Sequence, residues 1–185
     1  MNFDDVVVSR RSIRRFRSDK ISRDILDKII YHATMAPSGK HEQPWYFVVI
    51  QDDVDYKNKV ADLIVGAGEE QLVKNPNFPQ GYVRGTALAI KTAPVLIAVF
   101  ETRDSQLNMQ KQSMGAAIQN ICLSATAAGL GSLWMGYVDL CNKEIESHLG
   151  VPSTHKIVAA VAIGYSDMTP AVPPRKPLDA TVEFR

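Results

Sequence analysis

The feature that most restricts the fold is a pair of unbroken apolar runs. "PVLIAVF" (Pro94–Phe100) and "KIVAAVAIG" (Lys156–Gly164) have the length of a strand but not its usual alternation of apolar and polar residues. A strand that is apolar at every position is buried on both faces. Two further strands are expected. "WYFVVI" (Trp45–Ile50) is aromatic and β-branched, and "SLWMGYV" (Ser132–Val138) follows a glycine stop.

Helical spacing fills the gaps. Asn2 is a cap candidate for a short helix through Ser9, with Asp4 and Asp5 in its first turn. Ser22 is placed to cap a helix whose apolar positions are Ile25, Leu26, Ile29, Ile30 and Ala33. Residues 55–68 read as another helix. The clearest is Gln110–Ala128, where Met114, Ala117, Ile118, Ile121, Cys122 and Ala125 recur on one face and Gly129 is the stop. Asn142 is expected to cap a short helix ending near Gly150. "NPNFPQGYVRGT" (75–86), rich in Pro, Gly and Asn, reads as a long surface loop or lid. Helices with about four interspersed strands give an α+β or α/β class, in a single domain over residues 1–185.

Residues 165–185 carry Pro170, Pro173, Pro174 and Pro177 and read as an extended arm. The arm wraps a partner subunit or it is a frayed tail. Within it "LDATVEF" alternates Leu178, Ala180, Val182 and Phe184 with polar residues, the pattern of an edge strand.

Charge is concentrated rather than general. Lys plus Arg is 21 and Asp plus Glu is 20, yet "SRRSIRRFR" (Ser9–Arg17) holds five arginines. A net charge of +1 argues against a polyanion binder, and no recognition helix or stacking pattern supports a nucleic-acid arm. The open readings of the segment are a phosphate site, a solvated basic face and a basic arm. Arginine suits phosphate because its planar fork makes two parallel charge-assisted bonds. In an extended segment Arg10, Ser12 and Arg14 share one side, and Arg11 and Arg15 the other.

Other chemistries lack their patterns. The four histidines show no metal-ligand spacing, so no metal is expected. "GLGSLW" follows a helix and opens a strand, the reverse of a dinucleotide fingerprint. No Walker lysine, GxSxG or Cys–His context is present. With no catalytic side chain evident, an enzyme of this sequence would rely on a cofactor. The turn "APSGKHEQP" (Ala36–Pro44) exposes backbone N–H groups against which a flat ring can pack. Trp45 and Trp134 read as core aromatics. Cys122 and Cys141 are expected as buried thiols of a cytoplasmic protein, and no run approaches the ~20 residues of a membrane span.

In order and spacing, "RRSIRRF", "APSGKHEQPWYFVVI", "MGAAIQNICLSATAAGLGSLWMGY", "KIVAAVAIGYS" and "PPRKPLDATV" resemble the nitroreductase family of flavoproteins. The resemblance implies an α+β fold, with a mostly antiparallel central sheet flanked by helices and an extended C-terminal arm, and a homodimer with two FMN molecules at the interface. It implies ping-pong hydride transfer from NADH or NADPH, through flavin N5, to a small acceptor such as a nitroaromatic or quinone. The alternatives are a specialised member such as a reductive dehalogenase and a non-catalytic FMN-binding protein. By resemblance Arg10, Arg11, Ser12 and Arg14 hold FMN, Arg10 at the phosphate and Arg14 at the pyrimidine. Pro37, Ser38 and Gly39 match the turn that the other subunit lays against the flavin, and His41 falls near it. Leu133, Trp134, Met135 and Gly136 line the ring, and Arg175 and Lys176 meet the phosphate. His41 and Met135 depart from the asparagine and glutamate of some members.

Overall fold

The two apolar runs are the central strands of one antiparallel sheet. The computed structural model describes residues 1–102 and 110–185. Its elements are α1 (Phe3–Ser9), α2 (Arg23–Thr34), β1 (Trp45–Gln51), α3 (Val54–Lys74), α4 (Gln80–Thr92), β2 (Val95–Thr102), α5 (Gln110–Ala127), β3 (Gly131–Met135), α6 (Asn142–Leu149) and β4 (His155–Gly164). Short 3-10 turns occur at Gly39–His41, Tyr137–Cys141 and Leu178–Ala180. The strand order is β1-β2-β4-β3, with every pairing antiparallel.

Burial explains the composition of β2 and β4. Leu96, Ala98 and Phe100 enter one apolar cluster together with residues of α3, α4 and α6. Val95, Ile97 and Val99 enter a second cluster with α2 and α5 on the opposite face. Each alternate residue therefore meets helices, and neither face can be polar. The β2–β4 register shifts between Val99, opposite Ala159, and Phe100, opposite Ile157. Val158 is the extra residue, a bulge that turns the end of β4.

The helix boundaries follow local chemistry. Asn2 and Asp5 form a reciprocal capping box at α1, with Asp5 N–H donating to Asn2 Oδ1 at 2.8 Å. Gly129 (φ 76°) and Gly150 (φ 63°) take the left-handed conformation that ends α5 and α6. Ser22 occupies the cap position of α2 without a side-chain hydrogen bond. Asn142 is the first residue of α6 rather than its cap, and its side chain accepts from the Lys143 N–H.

Three expectations are corrected. Residues 75–86 are not a long loop, because α4 begins at Gln80 directly after Pro79. Its buried stripe of Val83, Thr86, Ala87 and Ile90 was masked by the flanking Pro and Gly. Helix α3 correspondingly runs on to Lys74, and the two helices approach closely at Gly68, where a Cβ would stand 2.7 Å from Val83 Cγ1. The tail does not form an edge strand. Leu178–Ala180 is a 3-10 turn, and Leu178, Val182 and Phe184 are exposed. Trp134 is not a core residue but 45% exposed.

Candidate functional site

The arginine segment is fastened along the free edge of β3 by its two apolar residues. Ser12 bridges Ser132 in parallel sense, and Ile13 N–H donates to Ser132 O at 3.0 Å. Arg17 N–H donates to Tyr165 O at 2.9 Å, and Phe16 bridges Ser166. Ile13 and Phe16, both 5% exposed, are pegs into the core. Their sockets are glycines. A Cβ on Gly131 would lie 2.5 Å from Ile13 Cγ1, and one on Gly164 would lie 2.9 Å from Phe16 Cδ1. The glycine of "GLGSLW" thus serves close packing of the arginine segment, not a dinucleotide turn.

Between and around these pegs the arginines divide into two sets. Arg11 Nη1 folds back onto the carbonyls of Val8 at 2.6 Å and Arg10 at 2.8 Å, closing the C-terminal end of α1. Arg15 binds the Asp167 carbonyl through Nε (3.3 Å) and Nη2 (3.2 Å) and pairs with its carboxylate at 3.6 Å. Arg17 pairs with Asp19 at 3.2 Å and lies 5.1 Å from the Tyr165 ring centroid. Those three positions tie the segment to its surroundings. Arg10 and Arg14 have no carboxylate partner among the described residues, and the Arg14 guanidinium makes only a 3.4 Å contact to Ser12 O. Ile13 and Phe16, three residues apart, are both buried, so the segment does not keep the strict two-sided alternation expected of an extended strand.

Beneath them Ser132 is 1% exposed, and its hydroxyl makes no regular hydrogen bond. Burial pushes the adjacent Cys122 thiol up, against smaller opposing effects of Ser132 and the Arg10 charge. Cys141 is pushed up to about 12, by burial first and by Glu144 second. Neither thiol is ionised near neutral pH, so neither is a ready nucleophile.

The loop between α2 and β1 is strained. Lys40 (φ 51°), His41 (φ 59°) and Gln43 (φ 48°) all have left-handed backbone, a conformation that costs a side-chain-bearing residue about 1–2 kcal/mol. Gln43 N–H donates to Ser38 Oγ at 3.0 Å, Gly39 N–H to Ser113 Oγ at 3.4 Å, and His41 Nε2 lies 3.1 Å from Gln43 Nε2. Pro37 and His41 are exposed, and Ser38 and Gly39 half-buried. Within one chain no hydrogen bond or ion pair joins this loop to the arginine segment among the described residues.

At the end of β3, Leu133 and Met135 point into the core, while Trp134 and Gly136 are exposed. Trp134 closes over α5 at Gly115, and a cavity of about 350 Å³ beside it is also lined by Lys111, Lys156 and Asp139. Arg175 and Lys176 lie on the exposed tail. The sequence reading missed a second cavity, about 400 Å³, which Arg14 shares with Pro79, Gly81, Tyr82 and Gly85 of the α4 start. Its signal was an aromatic residue flanked by glycines, hidden by the reading of 75–86 as a loop. Among the described residues no group of three His, Cys, Asp or Glu side chains could hold a metal, and no helix is long and apolar enough to cross a membrane.

Comparison with known proteins decides the family. The model of the Nitroreductase family matches residues 7–165. The chain belongs to the nitroreductase family. A putative NADH dehydrogenase/NAD(P)H nitroreductase of Archaeoglobus fulgidus is 29% identical over 167 residues, 86% of this chain and 83% of that protein. Human iodotyrosine deiodinase 1 is 28% identical over 96% of this chain and 66% of its own length. Among solved structures, a BluB-like flavoprotein of Clostridium difficile superposes with a TM-score of 0.84 at 29% identity, covering 100% of this chain and 99% of that one. The FMN-dependent nitroreductase NfnB of Mycobacterium smegmatis, solved with NADPH, shares the fold at a TM-score of 0.82 and 20% identity, over 98% of this chain and 97% of its own.

Proposed function

We propose that this chain is an FMN-dependent oxidoreductase working as a homodimer, with residues 1–185 forming one FMN-binding domain and 165–185 serving as its arm. The observation that carries the reading is the pair of unneutralised guanidiniums, Arg10 and Arg14, held on a segment that Ile13 and Phe16 lock to a strand edge. Fixed cations with no protein counter-charge fit a terminal phosphate and the polar rim of a planar ring. The donor set therefore fits FMN. Arg10 and Ser12 would meet the phosphate, Arg14 the pyrimidine edge, and Trp134 and Gly136, with the backbone of Leu133 and Met135, would line the ring. Arg175 and Lys176 would add cations, and Arg11 would steady the segment from the α1 terminus. The strained Pro37–His41 turn does not bond to the arginine segment of its own chain, which supports its serving the partner's flavin.

Bound FMN would supply two-electron chemistry, from NADH or NADPH to an acceptor such as a nitroaromatic or quinone, in a ping-pong sequence. The chain's contribution is positioning and fixed positive charge, not acid–base groups. The free buried thiols, Cys122 and Cys141, suit a reducing compartment such as the cytoplasm.

The deiodinase relatives, matching 96% of this chain, favour a second reading, reductive dehalogenation. Anaerobic incubation of the FMN-loaded protein with NADPH separates the two. Reduced products of 4-nitrobenzoate or menadione are expected. Halide release from 3-iodotyrosine, with no reduction of either of those acceptors, would favour the second reading.

A further inference from the structure

Lys57, at 5% exposed, is the only charged residue that is buried among the described residues. A buried cation is held by a carboxylate or loses its proton. Among the described residues no carboxylate stands within ion-pair distance of Lys57. Its Nζ donates instead to Ala93 O, the carbonyl just past α4. A carbonyl accepts from a neutral amine too, so this contact does not require the charge. Burial pushes the Lys57 ammonium down from the ordinary lysine value. A further cavity, of about 400 Å³, is lined by Lys57 and Ala93 together with Ser18, Lys20 and Lys91. The two carboxylates on its wall are already engaged. Asp52 pairs with Lys20 at 3.0 Å, and Asp53 accepts from the Tyr56 N–H at 2.8 Å. The cavity shares no residue with the proposed flavin site.

We propose that Lys57 is a carbonyl-trapping lysine and that its cavity binds small 2-oxo acids as a reversible Schiff base. Desolvated lysine amines are nucleophiles toward carbonyl carbon. The neutral Lys57 amine adds to the keto carbon. A C–N bond forms, the C–O bond breaks and the oxygen leaves as water. With one proton taken from solvent, the product is an iminium that keeps a single N–H. No electrons change hands. That N–H retains the bond to Ala93 O, so the carbonyl favours the cationic product. The ligand's carboxylate sits on the carbon next to the iminium and supplies the counter-charge that the protein lacks. Lys20 and Lys91 spend contacts on Asp52 and on Asp62 (2.7 Å), yet each ammonium has three donors and can also reach that carboxylate. A neutral ketone would bring no counter-charge, and a larger acid would not fit between α3 and the end of α4 as readily as a small one.

The test uses the full chain incubated with FMN, with flavin content measured in each preparation. Pyruvate or its neutral methyl ester is added at neutral pH, imines are trapped with cyanoborohydride, and adducts are located by peptide mass mapping. With pyruvate, wild type should be labelled at Lys57 about tenfold or more above any other amine of the chain. With methyl pyruvate that selectivity should fall about tenfold, because the ester brings no counter-charge. Lys57→Met should lose the selective adduct and keep wild-type flavin. Lys20→Ala should lower pyruvate labelling of Lys57 several-fold and leave methyl pyruvate labelling unchanged. Labelling of wild type spread over the exposed lysines overturns the site, whether or not Lys57→Met folds. Equal selectivity for Lys57 with the acid and the ester overturns the ligand class. The adduct map reads the same way if the chain takes no FMN, so this site stands or falls apart from the flavin reading.

Discussion

Arg10 is the residue on which the account of the site turns. Its guanidinium has no carboxylate partner among the described residues, while Arg11 and Arg15 are spent on backbone carbonyls. Removing a charge-assisted phosphate contact costs roughly 1.5–3 kcal/mol, so Arg10→Ala should weaken FMN binding about 10- to 100-fold with thermal unfolding of the flavin-free protein unchanged. Titration of apoprotein with FMN checks this, and an unchanged affinity would make Arg10 a solvated surface charge. Arg15→Ala should instead leave affinity near wild type, because its partner is Asp167. At this scale the sequence was informative where chemistry is local. The concentration of five arginines in Ser9–Arg17 was legible, but which of them are engaged by Val8, Arg10 and Asp167 carbonyls was not. The exposure of Trp134 was not legible, since an aromatic residue in an apolar strand reads as core unless the register and the sheet edge are known.

Elements hold the segment at its working position. The bridge to Ser132 and the Ile13 peg exist only because residue 131 has no side chain. Gly131→Ala would place a methyl 2.5 Å from Ile13 Cγ1, and overpacking of this kind costs about 1–3 kcal/mol. The expected result is a lower denaturation midpoint together with weaker FMN binding, whereas Gly136→Ala, where a Cβ meets nothing within 4 Å, should leave stability unchanged. Denaturant titration of both variants is the check. The central strands were readable because burial on both faces leaves a run with no polar residue. The start of α4 was not. Pro79 is a helix boundary and Gly81 and Gly85 are helix-interior exceptions, and over twelve residues such signals look like a loop. "GLGSLW" runs from the end of α5 into β3, as its order indicated, but the packing role of Gly131 requires knowing which segment lies across β3.

For the whole molecule the open question is what covers the surfaces one chain leaves bare. Strand β1 is an edge of the sheet, and the tail exposes Leu178 (69%) and Phe184 (89%) with no strand of its own to join. Phe3 (73%) and Val8 (71%) are exposed on α1. A homodimer in which the arm crosses to the other subunit accounts for both. Truncation after Ser166 should then give a monomer by sedimentation that no longer retains flavin, because Arg175 and Lys176 leave with the apolar tail. A truncated protein that stays dimeric and yellow would assign the interface to the helices alone. That residues 171–185 would stay exposed on their own chain was legible in Pro173, Pro174 and Pro177. The strand proposed for "LDATVEF" was not realised within one chain, because alternation supplies a face but not the neighbouring edge.

The claim beneath all of these is that the arginine segment holds one FMN. The most direct measurement is the flavin content of the purified protein after reconstitution, with the cofactor released by heating, quantified by absorbance and identified by mass. The account predicts FMN at about one per chain. Finding FAD instead, or no bound flavin after incubation with excess FMN, would contradict it.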